Sequence, residues 1–193
     1  MPTDNEIVPG LRYLPRWLDD DEQSGMLAAI DAATWSTELR RRVQHYGHRY
    51  DYGRRAVTDQ EQHSATAPPL PDWALSATAR LHRDRQLNER ADQVIVNEYQ
   101  PGQGISAHVD CVPCFGPEVA AISLGSAYTM DFLDPDTRMR IPVRLEAGSL
   151  IVMTGPSRYR WRHAIAPRKS DMTPSGRVTR GRRVSVTFRT VLS

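Results

Sequence analysis

Lysine is nearly absent from this chain. Of its 25 basic residues Lys169 is the only lysine, so the positive charge is carried by arginine. Guanidinium groups suit planar, bidentate contacts to phosphate and carboxylate, but an arginine bias also follows genome composition and alone decides nothing. No apolar run approaches the roughly 20 residues needed to span a bilayer, which excludes a membrane-spanning helix. The start, Met1-Pro-Thr-Asp-Asn-Glu, lacks the basic and apolar regions of a secretory signal, so the expected location is the cytoplasm. Cysteine is limited to Cys111 and Cys114. A redox C-x-x-C normally opens a helix after a strand; this one holds a proline and follows a different motif, so two free thiols are expected. Internal repeats and low-complexity tracts are also missing.

What is present is an ordinary composition, 39% apolar, with 14 prolines and 12 glycines marking many turns. At 193 residues the chain is expected to form one domain. The net charge of +2 hides an acidic front, Asp4 to Asp31, and basic clusters at 40–55 and 158–183. Asp19-Asp20-Asp21-Glu22 places acidic caps before Met26, Leu27 and Ile30, predicting a helix over about 20–33. A second helix is expected after Pro69-Leu70-Pro71, through about 86. From residue 92 short β segments alternate with turns. Strands are expected near 93–99, 105–109, 119–125, 128–133, 140–144, 149–153, 157–164 and 182–191, with a long loop at 167–181 of the kind that often serves as a lid. The fold class is therefore mostly β with α: a double-stranded β-helix (jelly roll) with N-terminal helices. Its parts would be a helical front at 1–90 and a jelly-roll core at 91–193.

His108-Val109-Asp110 is the most informative motif. Residues i and i+2 of a strand face the same way, so His108 and Asp110 can bind one metal, with His163 arriving from another strand. Two imidazoles and a carboxylate form the protein part of a mononuclear non-haem Fe(II) site with positions open for a co-substrate and O₂. H-x-D alone is common by chance, and His163 could be a core histidine. Alternation in its segment puts Tyr159, Trp161 and His163 on an interior face and Arg158, Arg160 and Arg162 outside. On the last strand Val184, Val186 and Phe188 form an apolar face. Arg183, Ser185, Thr187 and Arg189 form a polar one, which is either solvated or turned into the mouth of the jelly roll. Arg183 and Arg189 lie roughly 20 Å apart along a strand. With side chains reaching about 6–7 Å, they could hold opposite ends of a five-carbon diacid such as 2-oxoglutarate. Asn97 and Tyr99 share a strand face and offer an amide and a phenol to its carboxylates.

These segments resemble the AlkB family of oxidative nucleic-acid dealkylases: Asn97-Glu-Tyr99-x-Pro101-Gly102, His108-x-Asp110, Ser123-Leu124-Gly125, Gly155-x-Ser157-Arg158, His163, and Arg183-x-Ser-x-Thr187-Phe188-Arg189. The opening Tyr13-x-Pro15-x-Trp17-Leu18 is also similar. Ser157 to Lys169 is particularly similar to the human family member fused to a tRNA methyltransferase, which hydroxylates a wobble-uridine side chain. The resemblance implies that His108, Asp110 and His163 bind Fe(II), and that Asn97, Tyr99, Arg183, Ser185 and Arg189 bind 2-oxoglutarate, with O₂ as second co-substrate. It also implies a nucleotide-recognition lid at Arg40-Arg41-Arg42-Val-Gln44-His45-Tyr46 through Tyr50 and Tyr52. There arginines would contact phosphates and rings would stack on unpaired bases, with Trp161 as a further contact. Val112 stands where the founding bacterial enzyme keeps a second, base-reading aspartate, and Ser185 where it has asparagine.

The expected activity is oxidative dealkylation of bases in DNA or RNA, such as 1-methyladenine and 3-methylcytosine, on single-stranded or flipped substrates. The expected protein is a monomer without a membrane partner. Two alternatives stand beside it: a tRNA wobble-uridine hydroxylase or other RNA-modifying oxygenase, and a non-catalytic nucleic-acid-binding module with a structural metal.

Overall fold

Alternating apolar and polar positions on the later strands give a sheet one apolar face that must be covered. The computed structural model describes residues 8–37, 39–51, 56–57 and 67–192. The first elements are β1 (Leu11–Leu14), α1 (Asp20–Ala32), β2 (Val43–Tyr46), the short pair β3 (Tyr50–Asp51) and β4 (Ala56–Val57), and α2 (Asp72–Arg83). There follow β5 (Gln93–Tyr99), β6 (Ile105–His108), β7 (Phe115–Gly125), β8 (Tyr128–Leu133), β9 (Arg140–Leu145) and β10 (Leu150–Met153). The chain closes with α3 (Gly155–Tyr159), β11 (Arg162–Ile165), β12 (Ser170–Thr173), β13 (Gly176–Thr179) and β14 (Arg183–Val191).

A major sheet in the order β1-β10-β7-β14-β5-β2 faces a minor sheet in the order β6-β11-β8-β9. This is the jelly-roll architecture expected from the sequence. Helix α1 begins where its acidic cap predicts. Asp19 Oδ1 accepts from the Glu22 amide at 2.8 Å, and Glu22 Oε2 accepts from the Asp19 amide at 2.9 Å, a reciprocal arrangement that satisfies two otherwise unpaired helix-start donors.

The two helices cover the outer face of the major sheet. Ile30 and Leu81 pack there against Val94, Val96, Ile122, Val184, Val186 and Phe188. A second cluster fills the space between the sheets, with Tyr99, Ala121, Tyr128, Phe132, Ile151, Trp161 and Ile165. The apolar face of β14 therefore serves the helices, and its polar face turns inward. Arg183 and Ser185 are buried, which settles the choice against a solvated outer face.

Four local expectations are corrected. The N-terminal ninety residues are not only a helical front, because β1 and β2 form both edges of the major sheet. Residues 167–181 hold the β12–β13 hairpin in place of an irregular loop. It is tied down by buried Asp171, which accepts from Arg180 at 2.6 Å and from Arg168 at 2.7 Å. The stretch 157–164 is not one strand. Pro156 and the Thr154–Ser157 capping pair turn its start into α3, which breaks the alternation. Tyr159 is consequently exposed and Arg158 is 2% exposed. Finally, Cys111 and Cys114 are joined by a disulfide, with Cα atoms 5.3 Å apart. The turn that carries them brings their Cβ atoms together, a geometry sequence spacing alone does not reveal.

Arg158 shows what the helix achieves. Its buried guanidinium donates to the carbonyls of Asp110 (3.0 Å), Cys111 (3.2 Å), Phe115 (3.1 Å) and Gly116 (3.2 Å). Removing it would take a buried donor from four carbonyls at once. Arg158→Met should cost about 3 kcal/mol or more of stability, measured by urea unfolding; a loss below about 1 kcal/mol would contradict this role.

Candidate metal and co-substrate site

The ligating atoms of His108, Asp110 and His163 lie within 4.8 Å of one another. His108 and His163 are cross-strand partners on β6 and β11, so their rings stand side by side, with centroids 4.3 Å apart. Asp110 follows the end of β6. Its Oδ1 is 3.6 Å from His108 Nε2 and 3.9 Å from His163 Nε2, so three donor atoms converge on one point. His108 Nδ1 is 2.8 Å from the Ser106 carbonyl. That contact places the proton on Nδ1 and leaves the Nε2 lone pair directed at the centre, as ligating histidines require.

The charges are set for a cation. Burial would raise the Asp110 carboxyl, but Arg189 first, and then the two histidines, hold it well below the usual range. Burial brings the His163 imidazole down to about 4, so it is neutral near pH 7, the form that binds metal. Two imidazoles with one carboxylate are a donor set that fits Fe(II).

Beside this centre the register of β5, β14 and β7 builds a polar wall. Arg183 pairs with Tyr99, Ser185 with both Asn97 and Ser123, and Arg189 with Gln93. Arg183 is fully buried. Its Nη2 donates to Ser123 Oγ at 2.8 Å and Ser185 Oγ at 3.4 Å, while Nε and Nη1 have no hydrogen-bond partner. A buried guanidinium with two idle donors calls for an anionic acceptor, and a ligand carboxylate fits. Arg189 is already engaged: its Nε donates to Asp110 Oδ2 at 3.0 Å and its Nη1 to Gln93 Oε1 at 3.2 Å.

A cavity of about 600 Å³ opens beside these groups, lined by Asn97, His108, Asp110, Phe115 and Arg189 and, from the basic segment, by Arg41 and Tyr50. Arg41 Nε donates to Asn97 Oδ1 at 2.9 Å. Arg40 is exposed. Arg42 makes a two-point contact with Glu98, at 2.6 and 2.7 Å. The other expected contacts do not all reach the mouth. Gln44 and Tyr46 are buried, Gln44 donating to the Ile30 carbonyl at 2.8 Å and Tyr46 packing edge-on against Trp73. Trp161 lies in the core between the sheets. Alternation on β2 and the turn after α3 direct these three inward, so they are corrected from substrate contacts to packing residues. His45 is half-buried and lines a different cavity. Tyr52 lies outside the described residues. Arg158 and Gln93 were missed as supports; the Gly155-x-Ser157-Arg158 segment carried the only sequence sign of the former.

The match to known proteins agrees with this geometry. Residues 10–189 match the 2OG-Fe(II) oxygenase superfamily, so the fold and site are those of a dioxygenase that uses Fe(II), 2-oxoglutarate and O₂. The chain is 34% identical, over 96% of its length, to tRNA (carboxymethyluridine(34)-5-O)-methyltransferase ALKBH8 of Macaca fascicularis, of which it covers 31%. It is 29% identical, over 97% of its length, to the alkylated DNA repair protein ALKBH8 homolog of Arabidopsis thaliana, of which it covers 60%. The chain thus spans about a third and three fifths of these two relatives. The structure of OsALKBH1 superposes with a TM-score of 0.69 at 21% identity, covering 95% of this chain and 97% of that one. The chain belongs to the 2OG-Fe(II) oxygenase superfamily, and the relatives named above are AlkB homologues. A non-catalytic module is thereby set aside. No described helix is long and apolar enough to cross a membrane.

The basic segment is fastened to the sheet through Glu98, which is buried between Arg42 and Arg182. The Arg42 hydrogen bonds foremost, with Arg182, lower the Glu98 pKa from 4.5 to about 2. Folding depresses this carboxyl, so the stability it contributes is present above pH 4.5 and lost as pH falls toward 2. Glu98→Gln should therefore be less stable than the parent at about pH 7, with the gap narrowing by about pH 3. Unfolding curves showing a pH-independent gap would contradict the ion pair.

Proposed function

We propose that this oxygenase oxidises an alkyl group carried by a nucleobase, and that its reaction is oxidative dealkylation of bases in DNA or RNA. The observation that carries the reading is the cavity itself: His108 and Asp110, two of the three converging donors, line it, while Arg41, Tyr50 and Phe115 form the approach. Tyr50 and Phe115 are 5.7 Å apart between ring centroids, an aromatic surface on which an unpaired base can stack. Exposed Arg40 extends the positive charge outward for phosphate contacts without sequence choice.

In this reading His108, Asp110 and His163 hold Fe(II). Arg183, with Ser185 and Tyr99 beside it, receives the far carboxylate of 2-oxoglutarate, and Asn97 and Arg189 face its keto-acid end. Bound iron and its co-substrates supply a two-electron oxidation of a C–H bond, releasing succinate and CO₂. The chain's own residues prepare for it. The Ser106 carbonyl fixes the His108 tautomer. Arg189 keeps Asp110 ionised and oriented. Ile95 and Phe115 line the chamber with apolar surface, which limits water. When the oxidised carbon is attached to a base nitrogen, the carbinol collapses, the C–N bond breaks to give an aldehyde, and the nitrogen takes the proton.

A second reading keeps the chemistry and changes the substrate: hydroxylation of a uridine side chain in tRNA, where the oxidised carbon is bonded to carbon and the hydroxyl stays. The name of the macaque relative, a carboxymethyluridine(34) methyltransferase of tRNA, favours it. Val112, two residues beyond Asp110, is exposed and apolar, so no aspartate reads the base edge there, and the lesion range of the founding enzyme is not carried over. Mass spectrometry of a mixed pool of methylated DNA, methylated RNA and tRNA, before and after incubation with Fe(II), 2-oxoglutarate and ascorbate, tests both. Loss of N-methyl bases with aldehyde release supports dealkylation, and a gain of one oxygen on a tRNA uridine supports the second reading. His108→Ala should silence either. No change in any pool, with succinate still formed on a non-nucleic substrate, would overturn both.

A further inference from the structure

A second cavity, of about 440 Å³, adjoins the first. The two share Arg41, Gly104, Ile105, Ser106 and Ala107, so β6 and the turn before it form a common wall. That wall is thin because Gly104 has no side chain: a Cβ there would collide with the Ile165 carbonyl on β11. The second cavity is lined by Leu133, Ile165 and Pro167 on its apolar side and by Arg40, Arg140 and Asp131 on its polar side.

Asp131 is the informative group. It is 4% exposed. Its Oδ2 accepts from Arg140 Nη2 at 2.6 Å, but its Oδ1 is shielded from water and has no hydrogen-bond partner. A buried carboxylate oxygen left without a donor carries an unmet desolvation cost, which a ligand bringing an N–H group recovers. Arg140 already balances the Asp131 charge, so Arg40 and Arg41 give the rim a positive excess. The cavity thus offers a hydrogen-bond acceptor at one side, apolar contact at another, and cations toward the neighbouring chamber.

We propose that this second cavity is a subsite for the base adjacent to the oxidised one, and that it selects a base with an exocyclic amine. The amine of cytosine or adenine donates to Asp131 Oδ1, as carboxylates accept from cytosine N4 elsewhere. The phosphate linking the two nucleotides lies at Arg40 and Arg41. The inference rests on the nucleobase reading above and adds a neighbour preference to it.

The test uses RNA hexamers carrying one central 3-methylcytosine, with cytidine or uridine on its 5′ or 3′ side, bound to the full chain and followed by fluorescence anisotropy. Cytosine and uracil differ at C4, amine against carbonyl, so the comparison isolates the Asp131 contact. The parent protein should bind one cytidine-flanked hexamer roughly five- to tenfold more tightly than its uridine counterpart. In Asp131→Asn, which keeps the shape and replaces one acceptor by a donor, the ratio should fall to about one or reverse. Hexamers that bind the parent protein equally well whatever the neighbour would overturn the subsite and leave the nucleobase reading standing. A preference that survives in Asp131→Asn would overturn it too. Failure of every hexamer to bind would remove the nucleobase reading and the subsite together.

Discussion

Strand β14 is hydrogen-bonded along both edges, to β5 on one side and β7 on the other, and that double pairing fixes the site. A strand held on both sides cannot slip, and its period of two then decides what each face receives. Val184, Val186 and Phe188 are committed to the helices. Arg183, Ser185, Thr187 and Arg189 are committed to the space between the sheets. A one-residue shift would send the arginines into the apolar layer under the helices and place valines against Asp110. Fold and candidate co-substrate site therefore depend on one register, and the cost of misplacing two guanidiniums enforces it.

Around that strand the charges are arranged in pairs that do different work. Asp110 is gripped from three directions. Arg189 holds its Oδ2, the two imidazoles face its Oδ1, and Arg158 braces its backbone carbonyl together with the following loop. This carboxylate is held in place before any ligand arrives. Arg183 is the opposite case: a buried cation with two donors unspent. The chain meets the cost of that burial without completing its hydrogen bonds, as expected of a residue whose last partner is a ligand. Arg42 and Arg182 share Glu98, and Arg182 also pairs with Asp31 on α1. Helix, sheet and basic segment are thereby tied together behind the mouth.

Much of this was legible from residue order. The alternation on the last strand and the acidic helix start each rest on a short-range pattern, and the structure follows both; His108 and Asp110 do converge, although Asp110 lies beyond the end of β6. The errors have a common physical origin in interactions that cross the chain. Arg158 reads as an outward residue by alternation, yet four carbonyls from residues 110–116 draw it inside. Trp161 and Tyr46 look like stacking groups because aromatic residues in a basic context suit a base, yet both fill apolar volume. Strands β1 and β2 escaped notice because they are four-residue edge strands, too short to show a period. Asp131 carries no sequence sign at all, since its isolation arises only where β8, β9 and the turn before β6 meet.

The claim on which the account turns is that the idle donors of Arg183 exist for the far carboxylate of 2-oxoglutarate. Calorimetric titration of the Mn(II)-loaded protein with 2-oxoglutarate and with 2-oxopentanoate, which keeps the keto-acid end and lacks the far carboxylate, addresses it directly. The parent protein should prefer the diacid by roughly a hundredfold, from charged hydrogen bonds worth about 1.5–3 kcal/mol each, and Arg183→Met should bind the two acids alike. A preference for the diacid that persists undiminished in Arg183→Met would contradict it.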